Sequence, residues 1–216
     1  RILVKIVEKF LQGRFAEADR IPLELRPKGG EVSRCCIYKD RAILKYRCMA
    51  SMGFAPEDET DELTSLKEYG ERALERTEHA VNKLSVITDA CSGCIRSRYL
   101  VTDACRGCFA QPCQINCPKQ AITIVNGRST IDTDKCISCG RCQDVCPYHA
   151  VIRIPIPCEE ACPVGAITKG DDGKEHIDPE KCILCGKCLQ SCPFGAVVEM
   201  SQIVDVLKLL HDSDKK

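Results

Sequence analysis

The chain has 216 residues, with 31 Lys plus Arg against 31 Asp plus Glu, 19 Cys, 4 His and no Trp. Balanced charge argues against a nucleic-acid binder, which carries a basic excess or stripe, and no run of 18 apolar residues offers a membrane span. The 44 % hydrophobic share counts the cysteines, and only five Tyr and five Phe are present, so an ordinary apolar core would be thin.

Residues 1–11 place Ile2, Leu3, Ile6, Val7 and Phe10 on one face of an amphipathic helix. No small-residue cleavage site accompanies them, so they do not read as a secretory signal. Residues 20–31, with Pro22, Pro27, Gly29 and Gly30, read as an irregular connection. Ser33 is a candidate N-cap for a helix to about Met52, with Ile37, Ile43, Leu44 and Met49 inward. An acidic linker, Glu57 to Glu62, reads as solvated. It leads into a long helix with Leu63, Leu66, Ala73, Leu74, Val81 and Leu84 inward, its acidic start suited to the helix dipole. Residues 1–88 are expected as a small helical N-terminal domain.

From Cys91 onward, short cysteine runs alternate with hairpins. Ile122 to Ile131 reads as two strands about Asn126-Gly127, and residues 166–177 repeat the design. Each leads through Ile-Asp-x-x-Lys-Cys into a related run, CISCGRCQDVCPYHAVI from Cys136 and CILCGKCLQSCPFGAVV from Cys182. Nine of the 17 positions agree at an offset of 46, which marks two copies of one folding unit. A helix from about Ser201, with Ile203, Val204, Leu207 and Leu210 to one side, is expected as a linker over 201–216. The chain does not start with Met and closes on Lys215-Lys216, which reads as a piece of something longer.

Disulfides suit short secreted domains, and zinc takes Cys and His in paired spacings. The runs Cys136-x2-Cys139-x2-Cys142-x3-Cys146-Pro147 and Cys182-x2-Cys185-x2-Cys188-x3-Cys192-Pro193 have instead the bacterial ferredoxin spacing. There, three cysteines wrap one [4Fe–4S] cube and the fourth reaches the neighbouring one. The first three are expected on a tight loop whose amides face sulfide, and the fourth is expected to open a helix.

Crossing over requires partner runs. Cys105-x2-Cys108-x4-Cys113-x3-Cys117-Pro118 pairs with the 136–146 run, giving one cube on Cys105, Cys108, Cys113 and Cys146 and another on Cys136, Cys139, Cys142 and Cys117. For the 182–192 run, the preceding stretch offers only Cys158-x3-Cys162-Pro163, a half-run whose missing part is Cys91-x2-Cys94. An inner unit, about 95–157, then sits inside an outer unit, about 89–94 plus 158–200, together making a domain over 89–200. The outer cubes would use Cys182, Cys185, Cys188 and Cys162, and Cys91, Cys94, Cys158 and Cys192. Four [4Fe–4S] clusters consume sixteen cysteines; the rival count is three, with Cys91 and Cys94 as ordinary thiols or a zinc pair. The expected fold is α+β, a nested pair of bacterial two-[4Fe–4S] ferredoxin-like units preceded by the helical domain.

Cys35, Cys36 and Cys48 are expected as buried, unligated thiols, and no spacing makes His79 or His149 a ligand. His149, standing where the other repeat has Gly195, is expected to cover or tune a cluster; Tyr148 and Phe194 are expected in the core. Complete thiolate sets leave no open iron. The chain shows no dinucleotide fingerprint, phosphate loop or nucleophile–base pair, so electron transfer is expected and no catalytic residue is assigned.

The stretches Arg34-Cys-Cys-Ile-Tyr-Lys-Asp-Arg-Ala42, Asp89-Ala-Cys-Ser-Gly-Cys94, Cys105-Arg-Gly-Cys-Phe-Ala-Gln-Pro-Cys113 and Ile156-Pro-Cys-Glu-Glu-Ala-Cys-Pro-Val-Gly-Ala166 resemble the electron-transfer part of monomeric [FeFe] (iron-only) hydrogenases. The resemblance covers essentially the whole chain, and Ser201 to Leu207 is similar to the link into the next domain. It implies a relay between a soluble carrier, ferredoxin or flavodoxin, and an H-cluster catalytic domain in the same parent chain, where H2 is made or oxidised. An anaerobic, cytoplasmic setting comes with it. None of that domain's cluster-binding cysteines can be placed here, and the plant-type [2Fe–2S] spacing and His-x3-Cys motif of the better-known branch are absent. The run from Cys105 to Pro118 is also similar to iron–sulfur subunits of the dimethyl-sulfoxide-reductase type. A freestanding polyferredoxin is a third reading, and a structural zinc protein is the non-redox one.

Overall fold

The computed structural model describes residues 1–32, 35–81, 83–91, 93–94 and 99–212. Its first part is helical: α1 (Ile2–Leu11), α2 (Ile21–Leu25), α3 (Ile37–Ser51) and α4 (Leu66–Glu75), with 3-10 turns at Phe15–Arg20 and Pro56–Asp58. The apolar stripe of α1 buries Ile6 against Ile21, Met49, Leu66 and Tyr69. Lys9 is buried on the same helix and is compensated by Glu24 at 3.1 Å and Glu17 at 3.7 Å.

Several expectations for this part are corrected. The connection expected over 20–31 contains α2, whose Pro22 sits in the first turn, where a missing N–H costs nothing. The N-cap of α3 is Cys36; the proposed cap, Ser33, lies outside the described residues. The acidic run is not uniformly solvated. Glu59 has a side chain only 1 % exposed and meets Lys45 at 2.9 Å, and Glu57 accepts from the Ser85 hydroxyl. The long helix is cut short. It stops at Glu75 because Arg76 turns to an extended ψ of 138° and sends its guanidinium to Asp205 and the Met52 carbonyl. Leu63 and Val81 are exposed, and Leu84 belongs to a strand.

The second part runs β1 (Leu84–Val86), β2 (Tyr99–Val101), α5 (Pro112–Ile115), β3 (Ile122–Val125), β4 (Arg128–Ile131), α6 (Arg141–Asp144), β5 (Val151–Arg153), α7 (Pro157–Ala161), β6 (Ile167–Lys169), β7 (Glu175–Ile177), α8 (Lys187–Ser191), β8 (Val197–Glu199) and α9 (Ile203–His211). With the helices before it, this makes a mixed α and β fold. Its strands form four antiparallel pairs, β1–β8, β2–β5, β3–β4 and β6–β7. The β3–β4 hairpin turns on Asn126 and Gly127, both left-handed at φ 51° and 74°, as a tight two-residue turn requires. In chain order the β2–β5 pair encloses that hairpin, and the β1–β8 pair encloses everything between.

Two cores serve this part. One, around Cys113, Ile122, Cys142 and Val151, is drawn from residues 99–151. The other joins Ile43 and Ala50 of α3 to Val86, Cys91, Cys158 and Val197, and the Ser201 N–H donates to the Ala50 carbonyl at 2.8 Å. Helix α9 returns Val204 to the helical core, while Leu210, expected inward, is exposed. Among the described residues no helix is long and apolar enough to cross a membrane.

Candidate metal centres

The sixteen cysteines from Cys91 onward gather in four groups of four. Cys117, Cys136, Cys139 and Cys142 line one cavity, Cys105, Cys108, Cys113 and Cys146 a second, and Cys162, Cys182, Cys185 and Cys188 a third. Their atom-free spaces, taken out to the mouths, are about 360, 330 and 300 Å³. The fourth group is Cys91, Cys94, Cys158 and Cys192. These lie in or against the core shared with α3, which Cys162 and Cys188 also border; what sets them together is that the Cys94 thiol lies in the fields of Cys91 and Cys192, and that of Cys158 in the fields of Cys192 and Cys94.

Local geometry explains the grouping. The third cysteine of each run sits on a short helix, Cys113 on α5, Cys142 on α6, Cys158 on α7 and Cys188 on α8. The fourth comes at or just past the end of that helix rather than opening one. Cys162 and Cys192 have extended ψ values of 111° and 109°, because the following Pro disfavours helical geometry in the residue before it.

Three residues past each fourth cysteine the chain is left-handed: Gln120, His149, Gly165 and Gly195 have φ of 48°, 49°, 62° and 58°. That turn aims the next amide back at sulfur. The N–H groups of Ala121, Ala150, Ala166 and Ala196 donate to Sγ of Cys117, Cys146, Cys162 and Cys192 at 3.2, 3.3, 3.2 and 3.4 Å. His149 stands exposed at this left-handed position, where the other repeat has Gly195. Tyr148 and Phe194, expected in the core, are exposed at 52 % and 40 %.

Upstream loops share a second device. Gly107, inside Cys105-Arg-Gly-Cys108, lies against the Gly127 carbonyl of the β3–β4 turn, and Gly93, inside Cys91-Ser-Gly-Cys94, faces the Gly173 carbonyl of the β6–β7 turn. A Cβ at Gly107 would overlap that carbonyl.

The free thiols record their surroundings. Amide N–H groups of Ser129 and Gly107 draw the Cys105 thiol down. Burial pushes Cys142 and Cys188 up, and burial together with Glu175 pushes Cys158 up to about 12. Glu175 is buried and pairs with Lys169 at 2.8 Å, while Lys174 donates to the Cys91 carbonyl. Of the three remaining cysteines, Cys48 is buried and raised to about 12. Cys35 is exposed and Cys36 half-buried, so the expectation of burial holds for Cys48 alone.

The donor sets fit a cube better than a single ion. Tetrahedral zinc draws four sulfurs to about 2.3 Å from one point. Among the described residues no three Cys, His, Asp or Glu side chains converge in that way; in three of the groups the thiols line a cavity instead.

Two further signals for the Cys91 half-run lie in the sequence. Thr88-Asp-Ala-Cys-Ser-Gly-Cys94 parallels Thr102-Asp-Ala-Cys-Arg-Gly-Cys108, and Pro157-Cys-Glu-Glu-Ala-Cys-Pro163 parallels Pro112-Cys-Gln-Ile-Asn-Cys-Pro118. The pattern Cys-Pro-x-x-Ala followed by Ile or Val occurs at 117, 146, 162 and 192, once per N–H···S bond.

The 4Fe-4S dicluster domain family matches residues 157–196, and the 4Fe-4S binding domain family matches residues 129–152. A 46-residue stretch is 44 % identical to dihydromethanopterin reductase (acceptor) of Methanosarcina mazei, covering 21 % of this chain and 19 % of that protein. A 60-residue stretch is 35 % identical to an uncharacterized ferredoxin of Methanocaldococcus jannaschii, covering 26 % and 40 %. The chain therefore spans less than half the length of either relative. Residues 129–152 and 157–196 are thus ferredoxin-type [4Fe–4S] segments.

Proposed function

We propose that the chain is an electron relay of four [4Fe–4S] clusters, held by an inner ferredoxin-like unit nested in an outer one. The observation that carries this reading is the sorting of sixteen thiols into four groups of four. The inner clusters would rest on Cys105, Cys108, Cys113 and Cys146, and on Cys136, Cys139, Cys142 and Cys117. The outer ones would rest on Cys182, Cys185, Cys188 and Cys162, and on Cys91, Cys94, Cys158 and Cys192. Strand pairing supports the nesting, since β2–β5 lies between β1 and β8 in the chain. The repeated Thr-Asp-Ala-Cys-x-Gly-Cys sequence supports counting Cys91 and Cys94 as ligands, and with them four clusters rather than three.

When bound, such clusters supply reversible one-electron transfer. The protein's part is to hold and tune them. Amide donors at each fourth cysteine stabilise negative charge on sulfur, and the buried Lys169–Glu175 pair with Lys174 sets the field at the Cys91 group. No general acid or base is needed for this work.

We further infer that the relay connects a soluble carrier to the H-cluster domain of an [FeFe] hydrogenase. The whole-chain resemblance supports this role. The wider Cys108-x4-Cys113 gap favours the second reading, an iron–sulfur subunit of the dimethyl-sulfoxide-reductase type. The relay is tested with Cys91→Ser and Cys158→Ser: each is expected to change the iron content or the reduced spectrum at one shared site. Wild-type iron content and spectrum in both would sink the four-cluster pairing. The natural reading frame past Lys216 separates the two roles, because an H-cluster domain is expected there only for the hydrogenase.

A further inference from the structure

Four loops follow the fourth cysteines with the same left-handed turn and the same amide-to-sulfur bond, yet one of them differs in what covers it. Gln120 and His149 carry exposed side chains at their turns, and a Cβ on Gly165 would meet open space. Gly195 is roofed. Arg47, on α3, donates from Nη2 to the Gly195 carbonyl, and a Cβ at Gly195 would collide with the same guanidinium nitrogen. Neighbours of Arg47 on α3 reinforce the contact: Tyr46 packs against, and Ile43 and Ala50 belong to, the core that holds Cys91, Cys158, Ala196 and Val197. A helix from the N-terminal region thus presses one cation onto one of four otherwise equivalent loops.

We propose that Arg47 is the positioning residue of the Cys91, Cys94, Cys158 and Cys192 site. It fixes the Cys192–Gly195 turn and the Ala196 N–H to Cys192 Sγ bond, so the reduction potential of this site depends on α3. This rests on the four-cluster reading. Reduction adds one negative charge, and a nearby cation together with a well-aimed N–H···S bond favours the reduced form, raising the potential. Other charges at the site are Glu175, already paired with Lys169, and Lys174 on the Cys91 carbonyl. Arg47 is the contribution made by the helical region.

The test is an anaerobic titration of the full chain with dithionite, one electron entering per cluster, followed by electron paramagnetic resonance. The signal of this site is identified as the one altered in Cys91→Ser. Arg47→Met keeps the aliphatic stem and is expected to move that signal to a more negative potential while the others stay. Gly195→Ala, which displaces the guanidinium, is expected to shift the same signal in the same direction, and the double variant should shift it no further than the larger single change. Arg47→Lys should restore part of the loss, and His149→Gly should leave this site unmoved. Wild-type potentials in Arg47→Met with full iron, a shift shared by all signals, or iron lost equally from every site would each overturn the proposal. If Arg47→Met alone loses iron, Arg47→Lys and Gly195→Ala carry the same comparison. A wild-type chain with no signal sensitive to Cys91→Ser would refute the four-cluster reading instead.

Discussion

Glycine separates two kinds of left-handed position at the residue scale. Gly127 and Gly165 have left-handed φ with no atom in the way of a Cβ, whereas Gly107 has left-handed φ and the Gly127 carbonyl in the way. Alanine at Gly127 is expected to cost only the backbone term, about 1–2 kcal/mol. Gly107→Ala must also push the β3–β4 turn off the Cys105–Cys108 loop, adding about 1–3 kcal/mol and loosening the Cys105, Cys108, Cys113 and Cys146 group. Iron content and denaturant unfolding of the two variants check this. Gly107→Ala should be the less stable of the pair and should lose iron, while Gly127→Ala should keep it. The cysteine spacing was legible in the sequence at this scale because cluster ligation demands short, fixed loops. The helix-ending geometry of the fourth cysteine was legible too, in the proline that follows it, though it was expected to open a helix.

At the scale of elements, local pattern failed where distant partners decide. Leu84 continues the apolar spacing of α4, yet Leu84–Val86 is a strand because it pairs with Val197–Glu199 far along the chain, and a three-residue strand carries almost no periodicity of its own. Helix α4 ends where Arg76 leaves it for α9. Arg76 Nε and Nη2 donate to both Asp205 oxygens at 2.8 and 2.7 Å, and the Ala80 N–H adds a third bond at 3.1 Å. Burial opposes the charge on Asp205, but Arg76 and that amide outweigh it and hold the carboxyl below its usual range. A folded value below the unfolded one, near 3.9, stabilises the fold above that pH, and the contribution disappears as pH falls through the folded value. Asp205→Asn, which leaves Arg76 buried without its counterion, is expected to cost about 3–5 kcal/mol at pH 7. Hydrogen exchange of the α4 and α9 amides at pH 7 should show faster opening in the variant than in wild type. Wild-type exchange of these amides in the variant would remove the ion pair from the account.

For the whole molecule, zero formal charge and few aromatic residues describe a polypeptide without its clusters. Each thiolate-held oxidised cube carries about −2, so four would take the protein to about −8. The core within residues 99–151 closes on its own residues, whereas the core holding Cys91 and Cys158 shares α3 with the helical region, so the helical region and the segments of that second core are expected to lose structure together when the clusters are removed. The grouping of Cys91 and Cys94 with Cys158 and Cys192 was legible through the requirement that each fourth cysteine cross to a partner, and through the repeated Thr-Asp-Ala-Cys-x-Gly-Cys sequence. The Arg47 contact left no trace in any spacing, being a tertiary contact between residues 148 positions apart. The central claim is the number of clusters, and the direct measurement is iron and acid-labile sulfide per chain in anaerobically purified protein. About 16 of each is expected for four cubes; about 12 of each would contradict the account and leave Cys91 and Cys94 without their assigned role.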